Sequence, residues 1–212
     1  GTDEWPYAFS IAVTVQLLNG RLRSDINVRN ESEKAMPFGL GFHPYVPTPL
    51  GTRGSQNLCE VEVPADSRWT NPAAPPAHVV PVGPDDWPRR PLPIGDIEIS
   101  LMTDRGAIRN HWFSFRDGGN QLPRLLGRVI DWENQVTVSI LASREFKAAV
   151  FYTPPGLSTA SIEPHTGMPN AFNLVGADQP DPGLEVIEPG ADWSAWYEIV
   201  PSALDANVNS KS

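Results

Sequence analysis

The clearest pattern near the start of the chain is an alternation of apolar and polar positions with a period of two. The odd-numbered residues from Phe9 to Leu17 are all apolar, and the residues between them are small or polar. Asn19-Gly20 follows, a pair that accepts the positive φ angles of a two-residue type I′ turn. The returning segment, residues 21–29, again has its apolar residues on one side. These features predict an antiparallel β-hairpin whose strands cover the two segments.

Shorter apolar segments bounded by Gly, Pro, Asp and Asn predict further strands. Residues 36–46 are interpreted as one strand, loosened by glycines and ended by Pro44. Residues 47–95 are interpreted mostly as loop, interrupted by a strand-like piece from Cys59 to Val63. No window keeps apolar residues at helical spacing for three turns, so no helix is predicted. Five more short strands are expected at Gln135–Leu141, Ala148–Tyr152, Ser158–Glu163, Leu184–Glu188 and Ser194–Val200.

The frequency of proline supports the same interpretation. Twenty-three of the 212 residues are proline, about twice the usual share of roughly 5%. Proline removes a backbone donor and fixes φ, so it is disfavoured inside helices and central strands. The chain is therefore expected to be all-β, with short strands joined by long ordered loops. Residues 1–204 are predicted to form one domain, with a turn at 117–120, and residues 205–212 a disordered polar tail.

Charge and hydropathy exclude several classes of function. The net charge of −9, without a cluster of basic residues, argues against a nucleic-acid partner. No apolar run approaches the roughly 20 residues that span a bilayer, and no signal-peptide pattern is present. The chain is therefore expected to be cytoplasmic and to have no membrane partner, although it opens on Gly1-Thr2 instead of Met. The single cysteine, Cys59, is expected to be a small buried side chain.

Two residues stand at strand ends, where active-site groups are commonly presented. His43 directly precedes Pro44, and an imidazole exchanges protons near neutral pH. Glu163 ends a strand directly before Pro164, and a carboxylate partly removed from water can act as a general base. Each residue also has a plain structural interpretation, a histidine hydrogen-bonded to a carbonyl and a solvated glutamate. Taken singly, neither residue identifies a function.

The remaining motifs indicate no cofactor. His111 and His165 are too isolated to form a metal site, which typically needs three or four ligands. His78 lies in the proline-rich segment and is expected to be exposed. The chain has no Gly-x-Ser-x-Gly nucleophile elbow and no glycine-rich phosphate loop. No metal, nucleotide or other cofactor is therefore expected.

Two longer segments together resemble a known family. Residues 36–45, Met-Pro-Phe-Gly-Leu-Gly-Phe-His-Pro-Tyr, resemble the PFxLGxHPYF strand of the aldose 1-epimerases. Residues 161–173, Ser-Ile-Glu-Pro-His-Thr-Gly-Met-Pro-Asn-Ala-Phe-Asn, are similar to that family's EPxTxxxNAxN segment. The closing stretch 183–194 and the opening hairpin agree in order and approximate spacing. The resemblance covers nearly the whole chain and implies the family's fold, a large twisted antiparallel β-sandwich with the sugar in an open cleft.

The resemblance also implies roles for individual residues. In the family, the histidine of the first motif protonates the sugar ring oxygen, and the glutamate of the second removes the proton of the C1 hydroxyl. His43 is thus expected to be the acid and Glu163 the base of an epimerase that interconverts the α and β anomers of an aldose. Both side chains should face one cleft, about the width of a pyranose ring apart. Tyr45, Asp96 and His165 are expected to bind this small-molecule sugar.

The chain departs from the family pattern in two places. Members usually carry an aspartate in a short LDDxxT-like segment, where this chain has Ile99 and Ser100; Asp96 and Asp104 lie nearby without matching. The family's N-terminal portion, with its His-Gly-x-x-Arg element, has no counterpart, so the chain corresponds to roughly the C-terminal two-thirds of a member. Strand edges left unpaired by such a truncation are expected to favour self-association.

Two alternatives to an epimerase remain open. A non-catalytic carbohydrate-binding module would keep the cleft without the chemistry. A hexose-6-phosphate 1-epimerase would need a cationic phosphate site, for which Arg89-Arg90 is the adjacent basic pair. The plainer interpretation of these two arginines is a solvated pair in a loop.

Overall fold

A computed structural model describes residues 5–70, 78–99, 101–103, 106–115, 123–175 and 181–204. These ranges contain sixteen strands and one short helix. In chain order they are β1 (Phe9–Leu18), β2 (Arg21–Asn30), β3 (Met36–Phe38), β4 (Tyr45–Pro47), β5 (Glu60–Glu62), β6 (Ser67–Thr70), β7 (His78–Pro81), β8 (Leu92–Pro93), β9 (Leu101–Thr103), β10 (Gly106–Ser114), β11 (Arg124–Asp131), β12 (Val136–Ala142), β13 (Ala148–Thr153), β14 (Thr159–His165), α1 (Ala171–Leu174), β15 (Glu185–Ile187) and β16 (Asp192–Ala203).

The first sheet has seven strands in the order β1-β2-β16-β12-β11-β5-β8. Its first two strands form the predicted hairpin, with Phe9 opposite Asn30 and Leu18 opposite Arg21. Asn19 and Gly20 at the tip have φ angles of 51° and 77°, as the two central residues of a type I′ turn must. The hairpin prediction is confirmed, because its alternation and its turn residues are both local features of the sequence.

The second sheet has the order β4-β14-β13-β10-β6-β7, and β9 pairs with β10 beside this path. The strands β15 and β3 form a separate two-stranded sheet. The described strand pairs are all antiparallel. β4 and β14 are neighbours although more than 100 residues separate them in the chain, and their pairing brings the two family-like segments, 36–45 and 161–173, together.

Apolar side chains from the facing sides of the two sheets form the main core. Ile26 and Val129 come from the first sheet, and Phe113, Phe151 and Ile162 come from the second; all are at most 3% exposed. Alternation along each strand sends every second side chain into this layer, and burying each such side chain typically contributes about 1.5–3 kcal/mol. The chain is thus an all-β antiparallel sandwich, as the resemblance implies.

The prediction that residues 47–95 are mostly loop is wrong in part. β6, β7 and β8 lie within this segment, and β5 matches the strand-like piece. β9, β10 and β11 also fall outside the predicted strands. β10 carries polar residues on both faces, with Asn110 on one side and His111 on the other, so it shows no alternation. Its strand conformation depends on the hydrogen bonds that β13 and β6 supply on its two edges.

The single strand predicted over residues 36–46 is in fact two strands in different sheets. β3 pairs with β15, and β4 pairs with β14. The residues between them include Gly39 and Gly41, and glycine weakens a strand while allowing another chain segment to approach closely. This crossing segment carries His43 from one sheet to the other.

Other structural predictions have mixed outcomes. α1 is a helix of four residues that the periodicity rule does not predict, because a single turn is too short to show a period. The predicted turn at 117–120 and the predicted tail at 205–212 lie outside the described residues. Within the described ranges, no helix has the length and hydropathy of a membrane-spanning segment.

β1 lies at the margin of the first sheet, and its outer edge has no partner among the described strands. The apolar side chains on its inner side are exposed, from 46% for Phe9 to 76% for Leu17. The alternation therefore identifies the correct face, but the described part of the second sheet does not extend over it. Self-association through this edge stays a prediction.

Gly127 in β11 is a position where the packing has no room for a side chain. A Cβ there would stand 2.8 Å from the Glu62 carbonyl oxygen and 3.1 and 3.2 Å from methyl groups of Val63 and Ile162. We therefore expect Gly127→Ala to lower the free energy of unfolding by about 1–3 kcal/mol, the usual cost of overpacking a core. Urea unfolding measures this value. Gly39→Ala is the control, because its nearest neighbour would be Thr166 Oγ1 at 4.0 Å; an equal loss in both variants would contradict the prediction.

Candidate active site

His43 and Glu163 come together through the pairing of two chain segments. β4 runs antiparallel to β14, with Tyr45 opposite Ser161, and the next described bridge joins Gly41 to His165. The backbone N–H of Phe42 donates to the Pro164 carbonyl at 3.0 Å. The same register, carried through this segment, places His43 directly opposite Glu163. Residues opposite each other in an antiparallel pair point to the same face, so both side chains lie on the face of the second sheet away from the core.

The two side chains are in direct contact. His43 Nε2 lies 2.9 Å from Glu163 Oε1. The other carboxylate oxygen, Oε2, lies 3.2 Å from His165 Nε2. The contact with His165 is a hydrogen bond, and because an ionised carboxylate only accepts, His165 donates its Nε2–H to it. The contact with His43 has the distance of an ion pair, and His43 Nε2 also lies 3.5 Å from the Tyr45 hydroxyl. The Glu163 side chain is 10% exposed and the His43 side chain 43% exposed. A nearly buried carboxylate is thus held between two imidazoles, one of which is open to solvent.

The expected separation of a pyranose ring width between His43 and Glu163 is wrong. Cβ atoms of directly opposed residues on neighbouring strands are only about 4.5–5.5 Å apart. Two long side chains starting from such positions can reach each other across the gap. The two side chains lie on one face of the second sheet, and His43 Nε2 stands 2.9 Å from Glu163 Oε1, the distance of an ion pair in direct contact. That both face one cleft stays a prediction.

Aromatic rings surround the exposed imidazole. Tyr45 stacks on His43 with ring centroids 4.5 Å apart, and the Tyr152 ring meets it edge-on at 5.3 Å. Burial first, and after it the neighbouring Tyr152 and Glu163, raise the pKa of the Tyr45 phenol, so its hydroxyl stays protonated at neutral pH. The site therefore combines an acid–base pair with an aromatic surface, on which the C–H face of a sugar can pack.

Of the three residues expected to bind the substrate, two lie at this site and one does not. Tyr45 and His165 contact His43 and Glu163 respectively. Asp96 is exposed at the end of the 3-10 turn Ile94–Asp96, which packs against the turn Gln56–Leu58. Within the described residues, no contact joins Asp96 to the pair. The reason is that Asp96 follows β8, the edge strand of the other sheet.

Tyr152 and Trp112 also belong to this face and are not identified by the sequence motifs. Tyr152 lies on β13 opposite Ser161, and Trp112 on β10 meets His165 at 5.4 Å between ring centroids. Both are aromatic residues at every-second positions of a strand, a pattern that is equally typical of a core. Only the order of the strands distinguishes the two cases.

The other candidate residues are used structurally. His111 is 7% exposed and points into the core, where its Nε2 donates to the Glu98 carbonyl at 3.2 Å. Cys59 is buried as expected, and burial raises the pKa of its thiol to about 11. The Arg89 guanidinium donates to the Ala65 carbonyl and to Asp66 Oδ1, both at 2.8 Å. Arg89 is therefore engaged within the protein and is not presented as an anion site.

Two cavities differ in how close they lie to the pair. One of about 260 Å³ is lined in part by Leu40, Trp112 and His165, the imidazole that contacts Glu163, but not by His43 or Glu163. A larger groove of about 540 Å³ lies on the outer face of the first sheet, beside Asp25 and Trp196. The larger groove contains no histidine, and its Asp25 is bound by an arginine, so size alone does not identify the place with acid–base chemistry. In the described part of the chain, no group of three or more His, Cys, Asp or Glu side chains is arranged as metal ligands.

Comparison with known proteins identifies the family of the chain. The family model described as aldose 1-epimerase matches residues 1–200. Among proteins with curated descriptions, none matches the chain significantly in sequence.

Several solved structures share the fold. A galactose mutarotase-like protein from Clostridium acetobutylicum superposes with a TM-score of 0.67 at 21% identity, covering 94% of this chain and 58% of that one. An aldose epimerase homologue from C. elegans gives 0.67 at 14% identity, with coverages of 96% and 62%. Galactose 1-epimerase from Lactobacillus acidophilus gives 0.64 at 15% identity, with coverages of 95% and 59%. The chain thus spans less than two thirds of the length of each of these structures.

Proposed function

The chain belongs to the aldose 1-epimerase family, and we propose that it is an isomerase that interconverts the α and β anomers of a free aldose by acid–base ring opening. The observation that supports this most directly is the Glu163 carboxylate, held 2.9 Å from the solvent-accessible imidazole of His43. A mutarotase needs a base and an acid that serve two oxygens bonded to the same carbon, so the two groups must stand close together.

The proposed reaction requires only proton transfers. The Glu163 carboxylate takes the proton of the C1 hydroxyl while the electron pair forms the C1–O1 double bond. The bond between C1 and the ring oxygen breaks, and the ring oxygen takes a proton from His43. Rotation about the C1–C2 bond presents the other face of the aldehyde, and ring closure follows with the two residues in exchanged roles. Atoms and electrons balance without an oxidant, a reductant or a co-reactant.

Substrate binding must replace the direct contact between the pair. His43 is the side chain that can move, because it is 43% exposed and its other contacts are two aromatic rings and a long 3.5 Å contact with the Tyr45 hydroxyl. The C1 hydroxyl of the sugar would then contact Glu163, and the ring oxygen would contact His43, in place of the direct contact between the two side chains. Tyr45 and Tyr152 would support the sugar ring from the side, as aromatic rings commonly do for apolar C–H surfaces.

The two alternative functions receive less support. A phosphate site at Arg89-Arg90 would have to compete with the contacts that Arg89 makes to Ala65 and Asp66. A binding module would not need a carboxylate opposed to an imidazole. The structure of the site therefore favours catalysis on an unphosphorylated sugar.

Exchange NMR spectroscopy of α-glucose and α-galactose tests the proposal. The wild-type chain is expected to speed anomer exchange in proportion to its concentration. Its rate with glucose 6-phosphate should not exceed its rate with glucose. Sugar binding without acceleration would instead support the binding module. A rate preference for the phosphate that disappears in Arg89→Ala/Arg90→Ala would support the hexose-6-phosphate epimerase.

The role of His43 is tested by its own variant. We expect His43→Gln to lower the exchange rate by about 10²-fold, the lower end of the range for general acid–base catalysis, because water can reach this exposed position and supply a proton. His78→Gln is the matched control, since His78 is exposed on β7 at the far edge of the same sheet. Equal rates for the two variants would contradict the role of His43.

A further inference from the structure

His165 is the second imidazole that contacts Glu163, and its surroundings differ from those of His43. We propose that His165 is a positioning residue: it holds the Glu163 carboxylate through Oε2, so that Oε1 is presented to the substrate. The proposal rests on the proposed function, because it concerns the same site. It replaces the expectation that His165 binds the sugar itself.

The first observation is that the His165 ring packs directly against the backbone of Gly41, although it also lines the 260 Å³ cavity with Leu40 and Trp112. A Cβ on Gly41 would lie 2.5 Å from Cε1, 2.6 Å from Nδ1 and 2.9 Å from Nε2 of the imidazole. The ring therefore lies directly against the backbone of Gly41, in space that exists only because residue 41 has no side chain. The Trp112 ring lies 5.4 Å away in an edge-on arrangement. The His165 side chain is 22% exposed, about half the value for His43.

The second observation is that the backbone next to His165 is hydrogen-bonded to Leu40, in the same segment as Gly41. The N–H of Thr166 donates to the Leu40 carbonyl at 2.9 Å, and the N–H of Leu40 donates to Thr166 Oγ1 at 3.0 Å. The Thr166 side chain is fully buried. Pro164, between Glu163 and His165, has a fixed φ angle. The backbone is thus restrained on both sides of His165, by Pro164 before it and by the hydrogen bonds of Thr166 after it. This restraint limits where the imidazole can lie.

The third observation is that the two carboxylate oxygens of Glu163 contact different histidines. Within the described residues, the side-chain contacts of Glu163 come from His43 at Oε1 and His165 at Oε2. The other titratable side chains near it are the phenols of Tyr45 and Tyr152. If His43 leaves the carboxylate to serve the ring oxygen, His165 is the remaining donor that can keep it in place. A base that is displaced by about 1 Å can lose about 10²-fold in rate, so such a restraint has a kinetic consequence.

Two variants of His165 separate positioning from sugar binding. The leucine of His165→Leu fills the space of the imidazole but has no hydrogen-bond donor. We expect kcat to fall by about 10–10²-fold with little change in KM. The amide nitrogen of His165→Gln can stand near the place of Nε2 and donate to Glu163, so this variant should retain at least several times the kcat of His165→Leu. Gly41→Ala, which intrudes on the ring, should lower kcat in the same way. A rise in KM with kcat preserved, or equal losses in the Leu and Gln variants, would overturn the proposal.

A measurement that does not depend on activity completes the test. Nitrogen-15 NMR of the histidine rings is expected to show a hydrogen-bonded Nε2–H for His165 in the wild type, and that signal should be lost in Glu163→Ala. If the Nε2–H signal is the same in Glu163→Ala as in the wild type, the proposal is wrong, whether or not the wild type catalyses anomer exchange. Conversely, a wild type without anomer exchange contradicts the proposed function alone, and the NMR result still decides whether His165 holds Glu163.

Discussion

Glu163→Gln is expected to lower the enzyme-dependent rate of anomer exchange by about 10²–10⁴-fold, the full range attributed to general acid–base catalysis. The amide keeps the size and most of the hydrogen-bonding geometry of the carboxylate, but it cannot accept the proton of the C1 hydroxyl. Because the side chain is only 10% exposed, water cannot readily take over the role of the base. The expected loss is therefore larger than for His43→Gln, whose position is open to solvent. Exchange NMR with α-glucose and α-galactose measures both rates.

The control for this prediction is another glutamate. Glu188 is exposed just after β15, and Glu188→Gln removes the same charge without touching the site. Exchange in Glu188→Gln should equal that of the wild type. If Glu163→Gln retained the wild-type rate while remaining folded, Glu163 would not be the base, and the assignment of the site would have to be abandoned.

Lowering the pH from 6.5 towards 4 is expected to destabilise the protein through His111 by about 3 kcal/mol. Burial, with smaller effects from Arg68 and Arg109, lowers the pKa of His111 from 6.5 to about 4 in the folded protein, against the hydrogen bond to Glu98. In this pH window the unfolded chain binds a proton that the folded chain does not, so stability falls as the pH falls. Each pKa unit corresponds to about 1.4 kcal/mol, which gives the expected size. The contribution is constant above pH 6.5.

His111→Phe isolates this effect from the titration of the carboxylates. A phenylalanine fits the neighbouring rings of Trp87, Phe113 and Phe151, although the Glu98 carbonyl loses its donor. We expect the free energy of unfolding to fall less between pH 7 and pH 4.5 in His111→Phe than in the wild type. His78→Phe, at an exposed position, should keep the wild-type pH dependence. Urea unfolding of the three proteins at a series of pH values measures this difference. The same change in the free energy of unfolding with pH in all three would contradict the prediction.

Local features of the sequence were sufficient for part of this fold and site. The β1–β2 hairpin follows from alternation and from Asn19-Gly20, both of which act over a few neighbouring residues. The two motifs that carry His43 and Glu163 identified the residue types that acid–base chemistry needs. The strand ends that they predicted at these residues are wrong, because β14 continues past Glu163 to His165 and His43 lies between β3 and β4.

Other parts of the fold were not accessible from local patterns. β10 carries polar side chains on both faces, so its strand conformation comes from pairing with β13 and β6. Asp96 looked close to the site in the sequence because it lies near the segment where the family has an aspartate. It belongs to a turn that follows the edge strand of the other sheet. Proximity along the chain does not report which sheet a residue joins.

By itself, the sequence determined the all-β class, the hairpin and the identity of a histidine and a glutamate suited to proton transfer. Only the tertiary structure decided that β4 pairs with β14 in the register that sets His43 opposite Glu163, and that Gly41 leaves room for His165 behind the carboxylate. The physical reason is the range of the forces involved. Backbone preferences and alternation act between near neighbours, whereas the distance between two residues far apart in the chain is set by strand pairing and core packing, which no local segment contains.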